Sequence, residues 1–530
     1  MKNYIYESND GNELFYNNKN ISSKPILLLV IIVTCGLLIR YHYTPFDIPI
    51  LFDGFSGYFL YALDITRLGH LPSYTLSQSG WGEFLSLFFT NFHSENLIDY
   101  MNLQRTISII LSGLTVIPVY FICRKFFSEY FSLIGATIFA LEPSIILNSV
   151  LGISEPLYVL VITLGILFFL NSNRIIIYLS FGFFAWATII RPEGQFWFVA
   201  LSVMYFIRFR KNRKDCLLFL AALAVFLLVI SPIVYHRIEC CDNDQIIGRI
   251  IVEISNYSIN SDKINEGIVN TYGPNFQNGI KLLGWSLFPI FIIFLPFGLI
   301  PILKKMNYPN FVLFLIPTIL AIPIIYSLSI APDTRYVYSL FPIFCIISLF
   351  GIRWIRNNLK NEKIVLSLII LGIISSSLVF LELQKVDHAY DKEAFQIAKL
   401  IEEKDIQKVN SGSKIMNFLK VSQFAEQWSK TGIHTNWNFW HYNTYEIRGI
   451  SSNAQTLEEF IIESKESNLS HIIVDDSKKN PKYILELIDN KNKYPFLIKE
   501  IDSIDLNLKY DVKIYKIDYN VFEEYIKNLE

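Results

Sequence analysis

Apolar runs long enough to cross a lipid bilayer follow one another through most of residues 25–382. A transmembrane helix needs about 20 mostly apolar residues. The runs lie at 25–43, 103–123, 130–149, 155–171, 174–190, 194–209, 216–235, 283–303, 309–330, 337–355 and 363–382. This pattern predicts a polytopic α-helical membrane protein with about eleven transmembrane helices.

Composition narrows the class further. Hydrophobic residues make up 52% of the chain, which is above the roughly 45–50% of soluble domains. The formal net charge is −1, so the bulk charge indicates no nucleic-acid partner. Six cysteines are present, with no CxxC pair or His/Cys cluster of the kind that binds a metal. No metal site is therefore predicted; a divalent ion stays open but unsupported.

Positive charge orients the predicted spans. Lysines precede the first run, and Lys/Arg clusters follow the second, fourth, sixth, eighth and tenth runs. All of these clusters lie on one side if the N-terminus is cytoplasmic. An odd number of spans then places the C-terminus outside. The predicted organisation is a cytoplasmic tail (1–24), a transmembrane domain (25–382) whose first outer loop is 44–102, and an extracytoplasmic domain (383–530). The predicted location is the cell membrane.

The C-terminal residues differ in pattern from the apolar runs. DKEAFQIAKLIEEK (391–404) has apolar residues at helical spacing, and HIIVDD (471–476) and DVKIYKI (511–517) are typical of strands. Two further segments, 456–467 and 482–490, are predicted helices. The alternation predicts a small α/β domain.

The first outer loop holds three acids, Asp47, Asp53 and Asp64, among aromatic residues and prolines. FSGYFLYALDI has apolar residues at 55, 58, 59, 62 and 63, the spacing of an amphipathic helix. Residues 54–68 are therefore predicted to form a helix in the membrane interface. Asp53 precedes this helix, where it is either a helix cap or a catalytic carboxylate at the membrane surface.

Two arginines lie on the predicted outer side, against the usual charge bias: Arg191 in TIIRPEG and Arg335 in APDTRYVYSLFP. Arginine suits bidentate phosphate recognition, as a lipid-phosphate sugar donor would require. The alternative is an ion pair with a neighbouring acid, Arg191 with Glu193 and Arg335 with Asp333. The two readings are compatible where a pair opens toward a ligand.

Two acids near the predicted outer ends of spans are further candidates. Glu155 begins the fourth span and is followed by Pro156 in the first helical turn, and Glu142 lies near the end of the third. Each is either functional or an ordinary acid at a helix end.

Aromatic residues are candidates for contact with a sugar or lipid: Tyr58, Trp81 and Trp285. Their alternative role is that of interfacial anchors. The loop 236–282 is predicted to cover an acceptor, and NWNFWHYNTYE (436–446) to touch glycans or to pack in the domain core.

In their order along the chain, these segments resemble the GT-C glycosyltransferases, most closely glycosyltransferase family 39, which includes protein O-mannosyltransferases and the lipid A aminoarabinose transferase. DGFSGYFLYALDITRLGHLP occupies the place of the family's first outer loop. LEPSIILNSVLGISEPLYVL, IIRPEG and TRYVYSLFPI are similar to later family segments. Gly54 replaces the second acid of the family's Asp-Glu pair. Either Asp47, Asp64 or Glu155 supplies the second carboxylate, or the reaction does not need one.

The resemblance implies an inverting transfer of a sugar, a hexose such as mannose, from a polyprenyl- or dolichyl-phosphate donor to an acceptor hydroxyl on a protein or glycan. It implies that Asp53 is the general base and that most such enzymes need no metal, whereas related oligosaccharyltransferases do. Membrane lipids are further partners. Two alternatives remain open: a transporter or flippase of lipid-linked glycans, and a non-catalytic membrane scaffold with an outer α/β domain.

Overall fold

The computed structural model describes residues 23–51, 53–74, 76, 78–209, 214, 217–241, 276–305, 307–330, 333–406, 408–431, 449–450, 453–489 and 494–528. Most of these residues are helical. The helices extend over Ser23–His42, Asp53–Phe59 (π), Leu60–Leu68, Gly80–Phe89, Leu97–Leu114, Val116–Arg124, Glu129–Ala140, Pro143–Ser149, Glu155–Phe169, Arg174–Ile190, Gly194–Phe209, Phe219–Cys241, Phe276–Ser286, Phe291–Lys304, Tyr308–Ile330, Thr334–Leu340 (3₁₀), Phe341–Asn358, Glu362–Leu383, His388–Glu403, Met416–Thr431, Leu457–Lys465, Lys482–Asp489 and Tyr519–Lys527.

Every apolar run of the sequence coincides with one helix or with two consecutive helices. Among the described residues, six helices are long and apolar enough to cross a membrane, or up to eight if each bent pair is one span. Glu155–Phe169, Arg174–Ile190 and Gly194–Phe209 are shorter apolar helices that account for the other predicted runs. A multi-pass membrane protein is thus confirmed, while the number eleven and the orientation of the termini stay predictions.

One bent pair consists of Glu129–Ala140 and Pro143–Ser149, which meet at 53°. The bend lies where Pro143 cannot donate a backbone hydrogen bond. Arg40, which is fully buried, donates from Nη1 to the carbonyl of Ala140 at 2.9 Å and from Nε to Ser112 Oγ at 2.9 Å. A buried guanidinium therefore supplies a hydrogen-bond donor at the break in the helix and joins three helices there.

The chain forms two compact units. The membrane unit comprises Met1–Thr44, Ser73–Phe84 and Gln104–Lys385; the second unit comprises Pro45–Pro72, Leu85–Leu103 and Val386–Glu530. Much of the predicted first outer loop, 44–102, thus belongs to the same compact unit as the C-terminal residues. The predicted domain boundaries stay predictions.

Aromatic packing explains this grouping. Phe55 of the first loop contacts Phe424 of the helix Met416–Thr431, with ring centroids 5.7 Å apart. Phe59 meets Phe89 at 5.7 Å, and Phe89 meets Tyr100 at 5.3 Å. The Phe55–Phe424 contact joins the first loop to the C-terminal residues, whereas the other two contacts lie within the loop itself.

The helix predicted at 54–68 is present as a π-helical segment, Asp53–Phe59, continued by Leu60–Leu68. Its predicted apolar positions are buried, but Leu60, Tyr61 and Asp64 are buried as well. The helix is thus enclosed on more than the one face that its apolar spacing predicts. Its location in a membrane interface stays a prediction.

Among its described residues, the second unit contains five strands: β1 (Val409–Asn410), β2 (Gly449–Ile450), β3 (His471–Val474), β4 (Leu497–Asp502) and β5 (Lys513–Ile517). β1 and β2 pair in parallel, whereas β3, β5 and β4 form an antiparallel sheet in that order. The predicted strands at 471–476 and 511–517 and the helices at 391–404, 456–467 and 482–490 are all present. The extracytoplasmic location of these residues stays a prediction.

A buried carboxylate ties the turns that follow β1 and β3. Asp475 accepts hydrogen bonds from Ser413 Oγ at 2.7 Å, the Lys414 backbone N at 2.8 Å, Tyr510 OH at 2.7 Å and Asn480 Nδ2 at 2.7 Å. Because these donors are already occupied, the network has a structural role in the second unit.

Candidate functional site

Glu155 is positioned by the turn at residues 149–154, which leads into the helix Glu155–Phe169. Gly152 has a φ of 70°, a left-handed conformation that glycine adopts without steric cost. Its carbonyl accepts hydrogen bonds from Trp81 Nε1 at 3.0 Å and Gln104 Nε2 at 2.5 Å. Since both donors are fully buried, the start of the Glu155 helix has little freedom to move.

Arg191 and Glu193 lie in the short turn after the helix Arg174–Ile190. The Arg191 N–H still bonds to the carbonyl of Ala187 at 2.8 Å, and the Gly194 N–H closes the turn on the Arg191 carbonyl at 3.0 Å. A Cβ on Gly194 would lie 2.4 Å from the Thr188 backbone N. Only glycine allows this close return of the chain, which directs the RPEG turn back over its own helix.

Asp333 and Arg335 lie at the start of the 3₁₀ helix Thr334–Leu340. Asp333 caps this helix, because its Oδ1 accepts a hydrogen bond from the Arg335 N–H at 3.0 Å. Further along, Ser339 Oγ accepts a hydrogen bond from Trp197 Nε1 at 3.3 Å, which joins the 3₁₀ helix to the helix Gly194–Phe209.

These three segments bring five charged side chains together, an arrangement we call the ionic chain: Asp333, Arg335, Glu155, Arg191 and Glu193. At its centre, Arg191 Nη1 donates a hydrogen bond to Glu155 Oε1. The same oxygen lies 3.4 Å from Arg335 Nη1. Both predicted local pairs are present. Arg191 binds Glu193 through Nε and Nη2, each at 3.3 Å, and Arg335 binds Asp333 Oδ2 through Nε and Nη2. Glu155 therefore bridges two arginine–carboxylate pairs.

Burial is graded along the ionic chain. The side chains of Glu155 and Arg191 are 2% and 8% exposed, whereas that of Arg335 is 28% exposed. The two terminal acids, Asp333 and Glu193, are 30% and 25% exposed. The centre is thus closed to solvent, both terminal acids are partly exposed, and Arg335 is the more exposed of the two arginines.

The charges of the ionic chain do not cancel. Three carboxylates and two guanidinium groups leave one net negative charge when all are ionised. At Asp333, burial raises the pKa, but the hydrogen bonds and charge of Arg335 outweigh it, so the pKa lies below its ordinary value. Asp333 is therefore ionised at neutral pH.

Two tyrosine rings flank the buried arginine. The Arg191 Cζ atom lies 6.0 Å from the ring centroid of Tyr158 and 5.6 Å from that of Tyr336. Such rings stabilise a guanidinium that is removed from water. The sequence patterns did not single out Tyr158 or Tyr336. Two features could have indicated them: Tyr158 lies about one helical turn after Glu155, and Tyr336 directly follows Arg335.

A small cleft adjoins Glu155. Its polar lining comes from Ser112, Thr115, Asn148 and Glu155. Glu155 Oε2 and Asn148 Nδ2 make no hydrogen bond within the described part of the chain. Glu142, fully buried at the helix break, likewise has neither carboxyl oxygen bonded to a described residue.

The three acids of the first loop all lie in the second unit. Asp53 is the first residue of the π-helical segment, and its side chain is outside the described atoms. Asp47 is exposed and has a φ of 65°, whereas Asp64 is only 5% exposed. The roles predicted for Asp53 and for Asp47 as a second acid stay predictions.

The three aromatic candidates have different environments. Trp81 is fully buried and hydrogen-bonded to Gly152, so its observed contacts are structural. Tyr58 is 6% exposed, and Trp285 is 63% exposed with its ring stacked on Phe288 at 5.8 Å. Contact of any of them with a sugar or lipid stays a prediction. The segment 436–446 and residues 242–275 of the acceptor loop lie outside the described residues.

Within the described ranges, no group of three or more His, Cys, Asp or Glu side chains could hold a metal ion. The ionic chain contributes carboxylates that are already bound to guanidinium groups. Arginine binds carboxylates and phosphates through the same N–H donors, so these two arginines suit either class of anion.

Comparison with known proteins gives matches among solved structures. No family model matches the chain, and no curated protein sequence matches it. ArnT from Cupriavidus metallidurans bound to undecaprenyl phosphate is similar, with a TM-score of 0.53 and 10% identity, over 93% of this chain and 98% of that one.

The Archaeoglobus fulgidus oligosaccharyltransferase is also similar. Its form tethered to an acceptor peptide has a TM-score of 0.56 and 12% identity, over 85% of this chain and 69% of that one. Its complex with an inhibitory peptide and a dolichol-phosphate has a TM-score of 0.52 at 12% identity, over 86% and 69%. The chain therefore has the GT-C fold, as the sequence resemblance predicted. The family 39 subtype stays a prediction.

Proposed function

We propose that this protein is a membrane glycosyltransferase that moves a sugar from a polyprenyl-phosphate donor to an acceptor hydroxyl. The observation that carries the proposal is the ionic chain, in which two arginines on separate segments share Glu155 within a GT-C fold. Paired guanidinium groups suit a phosphate, because each offers a fork of N–H donors. ArnT with undecaprenyl phosphate and the oligosaccharyltransferase with dolichol-phosphate support a lipid phosphate as the ligand class.

In the proposed reaction, the acceptor oxygen attacks the anomeric carbon while the bond from that carbon to the phosphate oxygen breaks. Asp53 takes the proton of the acceptor hydroxyl as general base. Arg335, with Arg191, stabilises the charge of the departing lipid phosphate. Attack opposite the leaving phosphate inverts the anomeric carbon.

The finer assignments are part of the same proposal. The sugar is a hexose such as mannose, the acceptor is a protein or glycan, and transfer takes place on the outer face of the membrane with the N-terminus in the cytoplasm. The acceptor peptide bound by the oligosaccharyltransferase supports an acceptor of the protein class.

The test is transfer in vitro from a radiolabelled polyprenyl-phosphate hexose by the purified full chain in liposomes. Asp53→Asn should lower the transfer rate by about a hundredfold or more while donor binding is retained. Asp47→Asn is the control, because it removes another acid of the same loop. It should retain transfer if Asp53 alone is the base. Full activity of Asp53→Asn would refute the base assignment. Absence of both donor binding and transfer in wild type would refute the function.

A further inference from the structure

The ionic chain presents a charge problem for any anionic ligand. Its three carboxylates outnumber its two guanidinium groups. An anion that approaches Arg335 or Arg191 therefore meets an arginine whose donors are engaged by acids. Binding of a phosphate requires that one of the carboxylates give up its place.

Glu155 is the least able to move. Its side chain is 2% exposed, and its helix begins at the turn that Trp81 and Gln104 hold through the Gly152 carbonyl. Withdrawal of Glu155 would also leave two like-charged guanidinium groups facing each other.

The two terminal acids are nearly equal in exposure, at 30% for Asp333 and 25% for Glu193, but their arginines differ. Arg191 is 8% exposed and lies between two tyrosine rings, so a ligand has little access to it. Arg335 is 28% exposed, and Asp333 covers its Nε and Nη2 edge. That edge is the one a phosphate would engage with two parallel hydrogen bonds.

We propose that a phosphate group binds Arg335 by displacing the carboxylate of Asp333, while Glu155 and Arg191 remain in place. This inference rests on the proposed function and adds that Asp333 is a placeholder anion. The released carboxylate turns toward solvent, to which it is already partly exposed. Two oxygens of the phosphate then take the positions opposite Arg335 Nε and Nη2. Glu155 is accordingly a positioning residue, because it holds Arg335 beside Arg191 in both states.

The structure offers a substitution that separates charge from fold. Asp333 also caps the 3₁₀ helix through Oδ1, and asparagine and serine are both good caps. Asp333→Asn and Asp333→Ser therefore remove the placeholder charge while they keep a cap. Two comparison variants are Glu193→Gln, which removes the other terminal charge, and Asp391→Asn, which removes a 29% exposed carboxylate paired with His388 in the second unit.

The experiment measures the Kd of undecaprenyl phosphate for the purified full-length chain in detergent at two salt concentrations. Asp333→Asn and Asp333→Ser should bind about tenfold more tightly than wild type, because the ligand no longer competes with a carboxylate. The gain should shrink at high salt, since Arg335 is partly solvated. Glu193→Gln should give a smaller gain, and Asp391→Asn should match wild type. Unfolding temperatures of all variants are measured alongside.

The outcomes distinguish the placeholder role of Asp333 from the proposed glycosyltransferase function. Wild-type binding with unchanged or weaker binding in both Asp333 variants overturns the placeholder role and leaves the proposed function standing. An equal or larger gain in Glu193→Gln overturns the choice of Asp333. If neither wild type nor any variant binds undecaprenyl phosphate, both the inference and the proposed function are refuted. Tighter binding that disappears in Asp333→Asn/Arg335→Gln supports the proposal, because it places the gain on Arg335.

Discussion

Glu155 and Arg191 form an ion pair whose side chains are 2% and 8% exposed, and the same Glu155 oxygen lies 3.4 Å from Arg335. A charged pair buried to this degree is costly to break, because the partner that remains keeps its charge without its counter-ion. The burial of this pair and the position of Arg335 beside it therefore lead to predictions about stability and ligand binding.

Glu155→Ala should lower the free energy of unfolding by about 3 kcal/mol, within the range for removal of one partner from a buried ion pair. Thermal unfolding of the purified protein in detergent measures the change. Glu362→Ala is the control, because Glu362 is 62% exposed and its pair with Arg356 spans 3.5 Å; its effect should be below about 0.5 kcal/mol. Equal effects of the two substitutions would contradict a special role for burial at Glu155.

Arg335→Lys should raise the donor KM by about tenfold with a smaller change in unfolding temperature, because lysine keeps the charge but loses the planar fork of donors. Arg191→Lys should instead lower the unfolding temperature more, since Arg191 is buried and lies near two aromatic rings. Steady-state transfer assays and thermal unfolding give the two readouts. A reversed pattern would show that Arg191 is the accessible arginine.

Trp81→Phe should lower the free energy of unfolding by about 1 kcal/mol, because it deletes the hydrogen bond to the Gly152 carbonyl but keeps most of the buried ring. Trp285→Phe is the matched control at a site that is 63% exposed. The comparison uses thermal unfolding of both variants at the same detergent concentration. A larger loss in Trp285→Phe would be inconsistent with the structural role observed for Trp81.

Asp475→Asn should destabilise the second unit by about 2 kcal/mol, because an amide cannot accept from all the donors that converge on this carboxylate. Asp476→Asn changes the neighbouring acid, whose side chain is 70% exposed, and should have little effect. Limited proteolysis of the full chain, followed by identification of the cleavage sites, measures opening of this unit. Similar cleavage in both variants would contradict the structural role of Asp475.

His471 predicts a dependence on pH. Burial lowers the pKa of His471, and Glu500, whose carboxylate lies 3.2 Å from Nε2, offsets this only in part. The unfolded chain therefore binds a proton more readily than the folded one, so stability should be lost as the pH falls below about 6.5 and through the lower folded pKa. His471→Gln should flatten the profile of unfolding temperature between about pH 7.5 and pH 5 relative to wild type and His388→Gln. If His471→Gln leaves the pH dependence of the unfolding temperature unchanged, His471 is not the group that causes it.

The fold was predictable because long apolar runs in a bilayer leave the backbone few alternatives to helices. Each predicted run is one helix or two consecutive helices. The helix after Asp53 and the strands at His471 and Lys513 are also where local patterns indicate them. Spacing could not predict that Phe55 packs against Phe424. That contact joins segments distant in sequence, and it places much of the first loop with the C-terminal residues.

The same division applies to the candidate site. The sequence by itself determined that Arg191 has Glu193 close by and Arg335 has Asp333, because residues two positions apart at a helix end are within reach of each other. Only the tertiary structure decided that Glu155 lies between the two arginines. The Arg191 contact joins residues 36 positions apart, and it depends on how three helix ends pack around the Gly152 and Gly194 turns. Local sequence sets which groups can pair nearby, whereas packing alone sets which buried carboxylate two distant cations must share.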